Sequence, residues 1–261
     1  MASGKPSPIV STSISRRQYK TPPITEALCA FHFSPDEEWN VISPALFYEK
    51  VKAAYGGKPR EQKLINIEPN PKEAQGSAAM ALNEITRVQF VTPDEKKILG
   101  IYQNHLSVSV TRPYPGWEVF RPTIEQGLSA YEEVCKPKGL TRIGLRYINQ
   151  LEIDGRVTDI LACFNSVPPS LVGANSHIEN FTSRYEYLYE DEPIRVAIGF
   201  ARVVAQAGKV SALLDIDLVW QSPGDVLLLK NAMAKVDDMR ERERVIFESL
   251  ITDRARQIFD A

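Results

Sequence analysis

The longest alternation of apolar and polar residues in this chain runs from Gly139 to Ile153. Side chains that alternate with a period of two point to opposite faces of a strand, so the run predicts a long strand with one buried face. One predicted face carries Ile143, Leu145, Tyr147, Asn149, Leu151 and Ile153, and the other carries Arg142, Arg146, Ile148, Gln150 and Glu152.

The same criterion predicts strands at 24–33, 64–68, 86–91, 97–103, 106–112, 178–189, 194–204 and 210–220. Apolar residues at helical spacing predict helices at 43–55, 121–135, 157–164 and 226–247, with a restart or kink at Thr252-Asp253. Residues 69–79 and the segment around Pro168-Pro169 are predicted to be loops.

The order of these elements repeats. After a flexible tail at 1–20, rich in Ser and Pro, residues 21–138 and 139–261 each read as strand, helix, three or four strands, helix. We therefore predict an α+β fold, in which two pseudo-repeated halves form one continuous globular unit. They would share an extended, curved antiparallel sheet with helices on one face. Such an arrangement resembles the saddle of the TATA-binding-protein fold or a helix-grip fold.

Composition narrows the function only slightly. The chain has 31 Lys plus Arg against 33 Asp plus Glu, which is a net charge of -2. This charge gives no global attraction to nucleic acid or anionic membranes, although a local basic patch is still compatible with it. Three cysteines without a Cys-x-x-Cys pair favour buried thiols in a reducing compartment. No apolar run is long enough to span a bilayer. We expect a cytoplasmic protein without a membrane partner.

The polar residues of the 140–153 strand are candidate binding residues. Arg142 and Arg146 could present a fork for a carboxylate or phosphate group on the open face, and Asn149 and Gln150 are the other candidates of this strand. The alternative is that the arginines are solvated and that Asn149 bonds to the backbone.

Asp215 and Asp217 lie two residues apart in a predicted strand and so share a face. Carboxylates placed this way can hold a divalent metal, which suggests a metal-dependent phosphodiesterase or nucleotidyl enzyme. The alternative is a polar outer face on which they pair with Arg142, Arg146 or Arg202. No other cofactor is expected.

Two further patterns have two interpretations each. The tyrosines at 185, 187 and 189 form either an aromatic platform for nucleotides or part of the sheet core. The mixed charges of residues 237–244 predict a solvated helix face paired within itself, or a surface on which a partner or a second copy assembles. The three histidines have no local partner in the sequence.

Several runs resemble a sporadically distributed family of uncharacterised prokaryotic proteins of about this length. The matching runs are Tyr19-x-x-Pro-Pro-Ile-x-Glu26-Ala27, Arg87-x-Gln-Phe90, Tyr114-x-Gly-Trp-Glu118, Gly144-Leu-Arg-Tyr-Ile-Asn149, Leu214-Asp-Ile-Asp217 and Phe247-x-x-x-Ile-Thr252. The resemblance implies no activity and no site residue. Its patchy occurrence implies an accessory part of a mobile or defence-type system.

The leading hypothesis from the sequence is a non-enzymatic binding or interaction module whose partner is another protein or a small ligand. The alternatives are the metal-dependent enzyme that uses Asp215 and Asp217, and nucleic-acid binding by the concave sheet through Arg142, Arg146 and the tyrosines.

Overall fold

One antiparallel sheet of nine strands organises the computed structural model of the chain. The structure describes residues 17–35, 39–69, 80–165 and 177–261, and the side chains of all of these except 64–69 and 80–84. The strands are β1 (Ile24–Phe33), β2 (Arg60–Pro69), β3 (Met80–Val91), β4 (Lys97–Tyr102), β5 (His105–Thr111), β6 (Leu140–Asp154), β7 (Thr182–Leu188), β8 (Ile194–Val203) and β9 (Lys209–Gln221). The helices are α1 (Ser43–Val51), α2 (Trp117–Cys135), α3 (Val157–Leu161), α4 (Ala232–Leu250) and α5 (Asp253–Phe259). The α+β class and the antiparallel sheet are thereby confirmed.

The two central strands, β1 and β6, join the first part of the chain to the second. The strand order is β2-β3-β4-β5-β1-β6-β9-β8-β7. β1 pairs with β5, the last strand before α2, and β6 pairs with β9, the last strand before α4. β1 and β6 pair with each other from Ile24–Asn149 to Phe33–Leu140, so backbone hydrogen bonds run continuously through the sheet.

One face of the sheet is covered by helices. Phe120 of α2 and Arg240 of α4 both contact the ring of Tyr147 in β6, which places the two helices on the same face. On this face β1 buries Ala27, Cys29, Phe31 and Phe33, as the alternation along the strand requires. The opposite face, which carries Arg142 and Arg146, is called the open face below.

Several element boundaries differ from the prediction. β2 begins at Arg60 rather than at 64. Residues 60–63 are polar, so they show no apolar alternation, but their backbone pairs with β3 at the edge of the sheet. α4 begins at Ala232 rather than at 226, since Leu227 instead exchanges backbone hydrogen bonds with Leu140. β7 begins at Thr182, four residues later than predicted.

Three predictions concern residues outside the described ones. Residues 1–16 of the proposed tail, 70–79 of the first predicted loop and the Pro168-Pro169 loop are not described. The described residues 17–23 form an N-terminal segment that lies against the C-terminal helices. Within it Thr21 donates its backbone N–H to the Phe259 carbonyl at 2.9 Å, and Tyr19 stacks edge-on against Phe259. Among the helices that the structure describes, none has the length and apolar character needed to cross a bilayer.

Candidate functional site

On the open face, Arg146 lies next to the two aspartates of the predicted metal site. Arg146 donates from Nε and Nη2 to the two carboxylate oxygens of Asp215 at 2.8 and 2.6 Å. Asp217, which is opposite Arg146 in the register, has its pKa raised by burial, and Asp215 adds to that while Arg146 opposes it. This arrangement matches the alternative in which the aspartates pair with a neighbouring arginine.

The other predicted binding and metal residues have separate surroundings. Within the described residues, no group of three or more His, Cys, Asp or Glu side chains could hold a metal ion. Gln150 donates from Nε2 to the Ser211 hydroxyl at 3.0 Å, while Arg142 is exposed. Asn149 lies on the other face, where its Nδ2 donates to the Leu214 carbonyl at 3.3 Å. The four candidates therefore do not form one site.

The tyrosines of β7 do not join the arginines either. Residues that are opposite each other in neighbouring strands lie on the same face of the sheet. Going outward from Arg146 in β6, the opposite residues are Asp217 in β9, Ala197 in β8 and Glu186 in β7, so Glu186 lies on the open face. Its neighbours Tyr185 and Tyr187 therefore face the helix side. They are about half exposed there and line a cavity of about 240 Å³ with apolar residues such as Phe200.

A much larger concavity of about 880 Å³ lies between α2, α4 and the N-terminal segment. We call it the α2–α4 cleft. Its volume falls in the range of small-molecule sites, about 300–1,000 Å³. Its aromatic lining consists of Tyr19, Tyr114, Trp117 and Phe247, and its polar lining includes Asn149, Arg240 and Glu243. Of the sequence-predicted binding residues, Asn149 is in this lining.

An ion pair is buried at the floor of the cleft. Arg240 donates from Nη1 to Glu243, one helical turn further along α4, and Glu243 is only 2% exposed. Burial raises the pKa of Glu243, and Arg240 opposes that shift. Burial also works against the charge of Arg240, but Glu243 and the nearby tyrosines leave the Arg240 pKa above its usual value.

One atom of this pair and two atoms beside it are buried and have no hydrogen-bond partner among the described residues. They are Arg240 Nε, Tyr114 Oη and Tyr147 Oη. Arg240 lies over the Tyr147 ring with Cζ 4.7 Å from the ring centroid, and Tyr147 is 0% exposed. The two tyrosines are close enough to shift each other's pKa, although their hydroxyls do not form a hydrogen bond by geometry. Unpaired buried polar atoms are rare in native proteins, so three together make the cleft the candidate site.

Local structure holds the walls of the cleft in place. Gly116 precedes α2 with φ 88° and ψ 161°, a region essentially restricted to glycine, and this turns Trp117 into the first helical position. Arg121 of α2 then donates from Nε and Nη2 to both carboxylate oxygens of Asp237 in α4, each at 2.9 Å. On the third side, Tyr19 donates its hydroxyl proton to Glu248 at 2.7 Å.

The prediction of a solvated face at 237–244 is wrong at Arg240 and Glu243. Pairs such as Arg242 with Asp238, at 3.2 Å, do reach solvent, since Asp238 is 41% exposed. However, the helix buries Ala232, Val236, Met239 and Glu243. These positions are spaced three or four residues apart and so form one buried stripe along the helix. The spacing alone indicates that Glu243 is buried, although a charged residue is normally expected at the surface.

Two histidines that are distant in sequence meet on the open face. His32 of β1 is opposite His105 of β5, with ring centroids 4.7 Å apart, and Tyr102 stacks on His105 at 4.2 Å. Burial, helped by the charge of Arg142, lowers the pKa of His32 to about 4. Burial also lowers the pKa of His105 to about 2, and His32 and the arginines add to that shift. Both imidazoles are therefore neutral at pH 7.

This pair predicts loss of stability in acid. Between pH 6.5 and 5 the unfolded state binds protons that the folded histidines do not, so the free energy of unfolding falls as the pH falls. Each histidine contributes up to about 2 kcal/mol over that interval. Urea unfolding at pH 6.5 and at pH 5 measures this change in the free energy of unfolding. The decrease for His105→Gln should be about half of the wild-type decrease, because one of the two histidines remains. His177→Gln is the control, because His177 is largely exposed, and an equal loss in all three proteins would contradict the prediction.

Comparison with known proteins adds no family. No family model matches the chain, and no curated protein matches it.

Proposed function

We propose that this protein is a non-enzymatic binding module, and that its ligand is a small molecule held in the α2–α4 cleft. The observation that carries the proposal is the set of three unpaired buried atoms around the Arg240–Glu243 ion pair. A buried polar network that is only partly satisfied is costly to the folded state. A ligand that completes the network would recover that cost as binding free energy.

The protonation states of these groups favour holding a ligand over proton transfer. The pKa values of Tyr114 and Tyr147 are raised by burial, and the pKa of Arg240 is raised above an already high value. Both hydroxyls and the guanidinium therefore keep their protons near neutral pH, where they act as hydrogen-bond donors. Efficient general acid–base catalysis instead needs groups with pKa values near the working pH.

The resemblance to the uncharacterised prokaryotic family stays a proposal. The runs that carry this resemblance supply part of the cleft lining. Four of its runs contribute to the cleft lining, namely the Tyr19-x-x-Pro-Pro-Ile run, the Tyr114-x-Gly-Trp-Glu118 run, the run that ends at Asn149 and the run that begins at Phe247. We propose that the cleft is the common feature of such proteins. The patchy occurrence of the family supports a role as an accessory component of a mobile or defence-type system.

The finer description of the fold is also a proposal. In each half the first strand pairs with the last strand of that half, and β1 and β6 are antiparallel neighbours at the centre. Such an order is what two repeats related by an axis between β1 and β6 would produce. It supports the analogy with the TATA-binding-protein saddle or a helix-grip fold, an analogy that concerns shape and carries no function.

Native mass spectrometry of the protein purified from its own host tests the proposed function. We expect a co-purifying small molecule with the wild type and much lower occupancy with Tyr114→Phe and Tyr147→Phe. Because each substitution removes an unpaired buried hydroxyl, the ligand-free variants should be about 1 kcal/mol more stable than the wild type.

Two matched variants complete this experiment. Tyr55→Phe also removes an unpaired buried hydroxyl, from a residue that does not line the cleft, so it should raise stability and keep the ligand. Arg146→Met changes the open face and should keep the ligand as well. A wild type without any bound small molecule, or equal occupancy in all variants, would overturn the proposal.

A further inference from the structure

The way in which Arg240 is held limits how a ligand can approach it. Its guanidinium lies over the Tyr147 ring, with the Trp117 ring centroid 5.7 Å from Cζ. Its Nη1 is occupied by Glu243, and its Nε has no partner among the described residues. A ligand would therefore meet the guanidinium in its plane, at the edge that carries Nε. That edge presents two parallel N–H donors, Nε–H and Nη2–H.

The charge at the floor of the cleft favours an uncharged acceptor at this edge. Arg240 and Glu243 neutralise each other, and both are largely buried. An anionic ligand would bring a second negative charge to a guanidinium that Glu243 already neutralises. The other arginines of the lining are paired as well, Arg17 with Asp260, Arg121 with Asp237 and Arg244 with Glu241. Two neutral acceptor atoms side by side satisfy the same two donors without adding charge.

The walls of the cleft favour a flat ring. Trp117 and Tyr114 stand on the α2 side, and Tyr19 and Phe247 stand on the side of the N-terminal segment and α4. Aromatic faces of this kind bind planar heterocycles by stacking. The unpaired Tyr114 hydroxyl and the amide of Asn149 add polar groups that are able to meet the edge of such a ring.

From these three constraints we infer that the ligand is an uncharged purine base or nucleoside of the 6-oxo type, bound with its O6 and N7 acceptors on the free edge of Arg240. An arginine edge pairs bidentately with those two atoms of guanine. An amino group at position 6 replaces an acceptor with a donor and would repel the guanidinium. Arg240 Nε is covered by its neighbours, so binding requires a side-chain movement that uncovers this edge, an adjustment of the kind common at interfaces. This inference rests on the proposed function of the cleft.

Isothermal titration with four pure compounds tests the inference on the intact wild-type chain. Guanosine and inosine, which share O6 and N7, should bind with similar affinity. Adenosine should bind at least about fivefold more weakly, the lower limit for loss of one bidentate pair. Guanosine 5′-monophosphate should bind no more tightly than guanosine, because its phosphate adds negative charge beside the buried carboxylate.

Two variants locate the contact. Arg240→Lys keeps a cation beside Glu243 but lacks the two-donor edge, so it should lose the preference for guanosine over adenosine. Tyr114→Phe should weaken guanosine binding without weakening the fold, which keeps the test valid if Arg240→Lys fails to fold. Equal binding of guanosine and adenosine, tighter binding of the monophosphate, or no binding of either 6-oxo nucleoside at millimolar concentration would overturn the ligand class. If a different small molecule still co-purifies and occupies the cleft, the proposed function survives and only the ligand class fails.

Discussion

Replacing Arg240 with methionine is expected to lower the free energy of unfolding by about 3–5 kcal/mol, the typical result of removing one partner from a buried ion pair. Methionine fills a similar volume and removes the only hydrogen bond that the structure shows for the Glu243 carboxylate. The Glu243 carboxylate, at 2% exposure, then has no hydrogen-bonded cation and keeps only the weaker influence of the Arg244 charge. Equilibrium unfolding in urea at pH 7.5 measures the loss.

A second substitution separates the unpaired charge from the lost packing. Arg240→Met combined with Glu243→Leu removes both charges, so it should recover most of the stability that the single variant loses. Lys50→Met is the control, because Lys50 pairs with Glu133 at 2.6 Å and both side chains are at least half exposed; a loss within about 1 kcal/mol is expected there. A double variant no more stable than Arg240→Met would contradict the account.

The deficit of Arg240→Met should also depend on pH. Burial already raises the pKa of Glu243 above the usual 4.5, and removal of Arg240 raises it further. In the window above 4.5 the folded variant therefore binds a proton that the unfolded chain does not. By linkage, its free energy of unfolding rises as the pH falls through that window. We expect a larger difference between the variant and the wild type at pH 8 than at pH 5.

Phe120→Ala is the second substitution with a large expected effect, a loss of about 3–5 kcal/mol. Phe120 is 0% exposed and contacts the rings of Tyr147 and Trp117 edge-on, with centroids 6.4 and 5.9 Å apart. Its removal leaves a cavity between α2 and β6 that the paired helices cannot readily close. Urea unfolding again measures the change.

Val119→Ala is the matched control for Phe120→Ala. Val119 is the preceding residue of α2 and is 37% exposed, so its truncation should change stability by less than about 1 kcal/mol. A loss below about 1.5 kcal/mol for Phe120→Ala would mean that α2 is not packed on β6 as described, and the wall of the cleft would then be misplaced.

The fold was largely predictable because its elements have strong local signals. The alternation in β6 places Ile143, Leu145 and Tyr147 on the buried face, where the structure has them. Strand order was not predictable, since the pairing of β1 with β6 joins residues more than a hundred positions apart. The bounds of β2 were predicted wrongly because β2 is an edge strand. An edge strand can contain polar residues without an apolar alternation, so the sequence pattern does not show where it begins.

The candidate site was much less predictable than the fold. Sequence reasoning favours exposed charges as binding groups, whereas Arg146 is occupied by Asp215 in the folded chain. Arg240 and Glu243 lie in a run of mixed charge that is typical of a solvated helix face. Only the helical stripe from Met239 to Glu243 indicated that this side of α4 faces inward. Asn149 was selected and correctly placed on the buried face, but nothing in the sequence indicated the cleft that it lines.

A crystal structure of the protein with its co-purified ligand tests the central claim most directly. The account predicts ligand density in the α2–α4 cleft, with acceptor atoms within hydrogen-bond distance of Arg240 Nε and the Tyr114 hydroxyl. Density on the open face beside Arg146 and Asp215, or in the smaller cavity beside Tyr185, would contradict it.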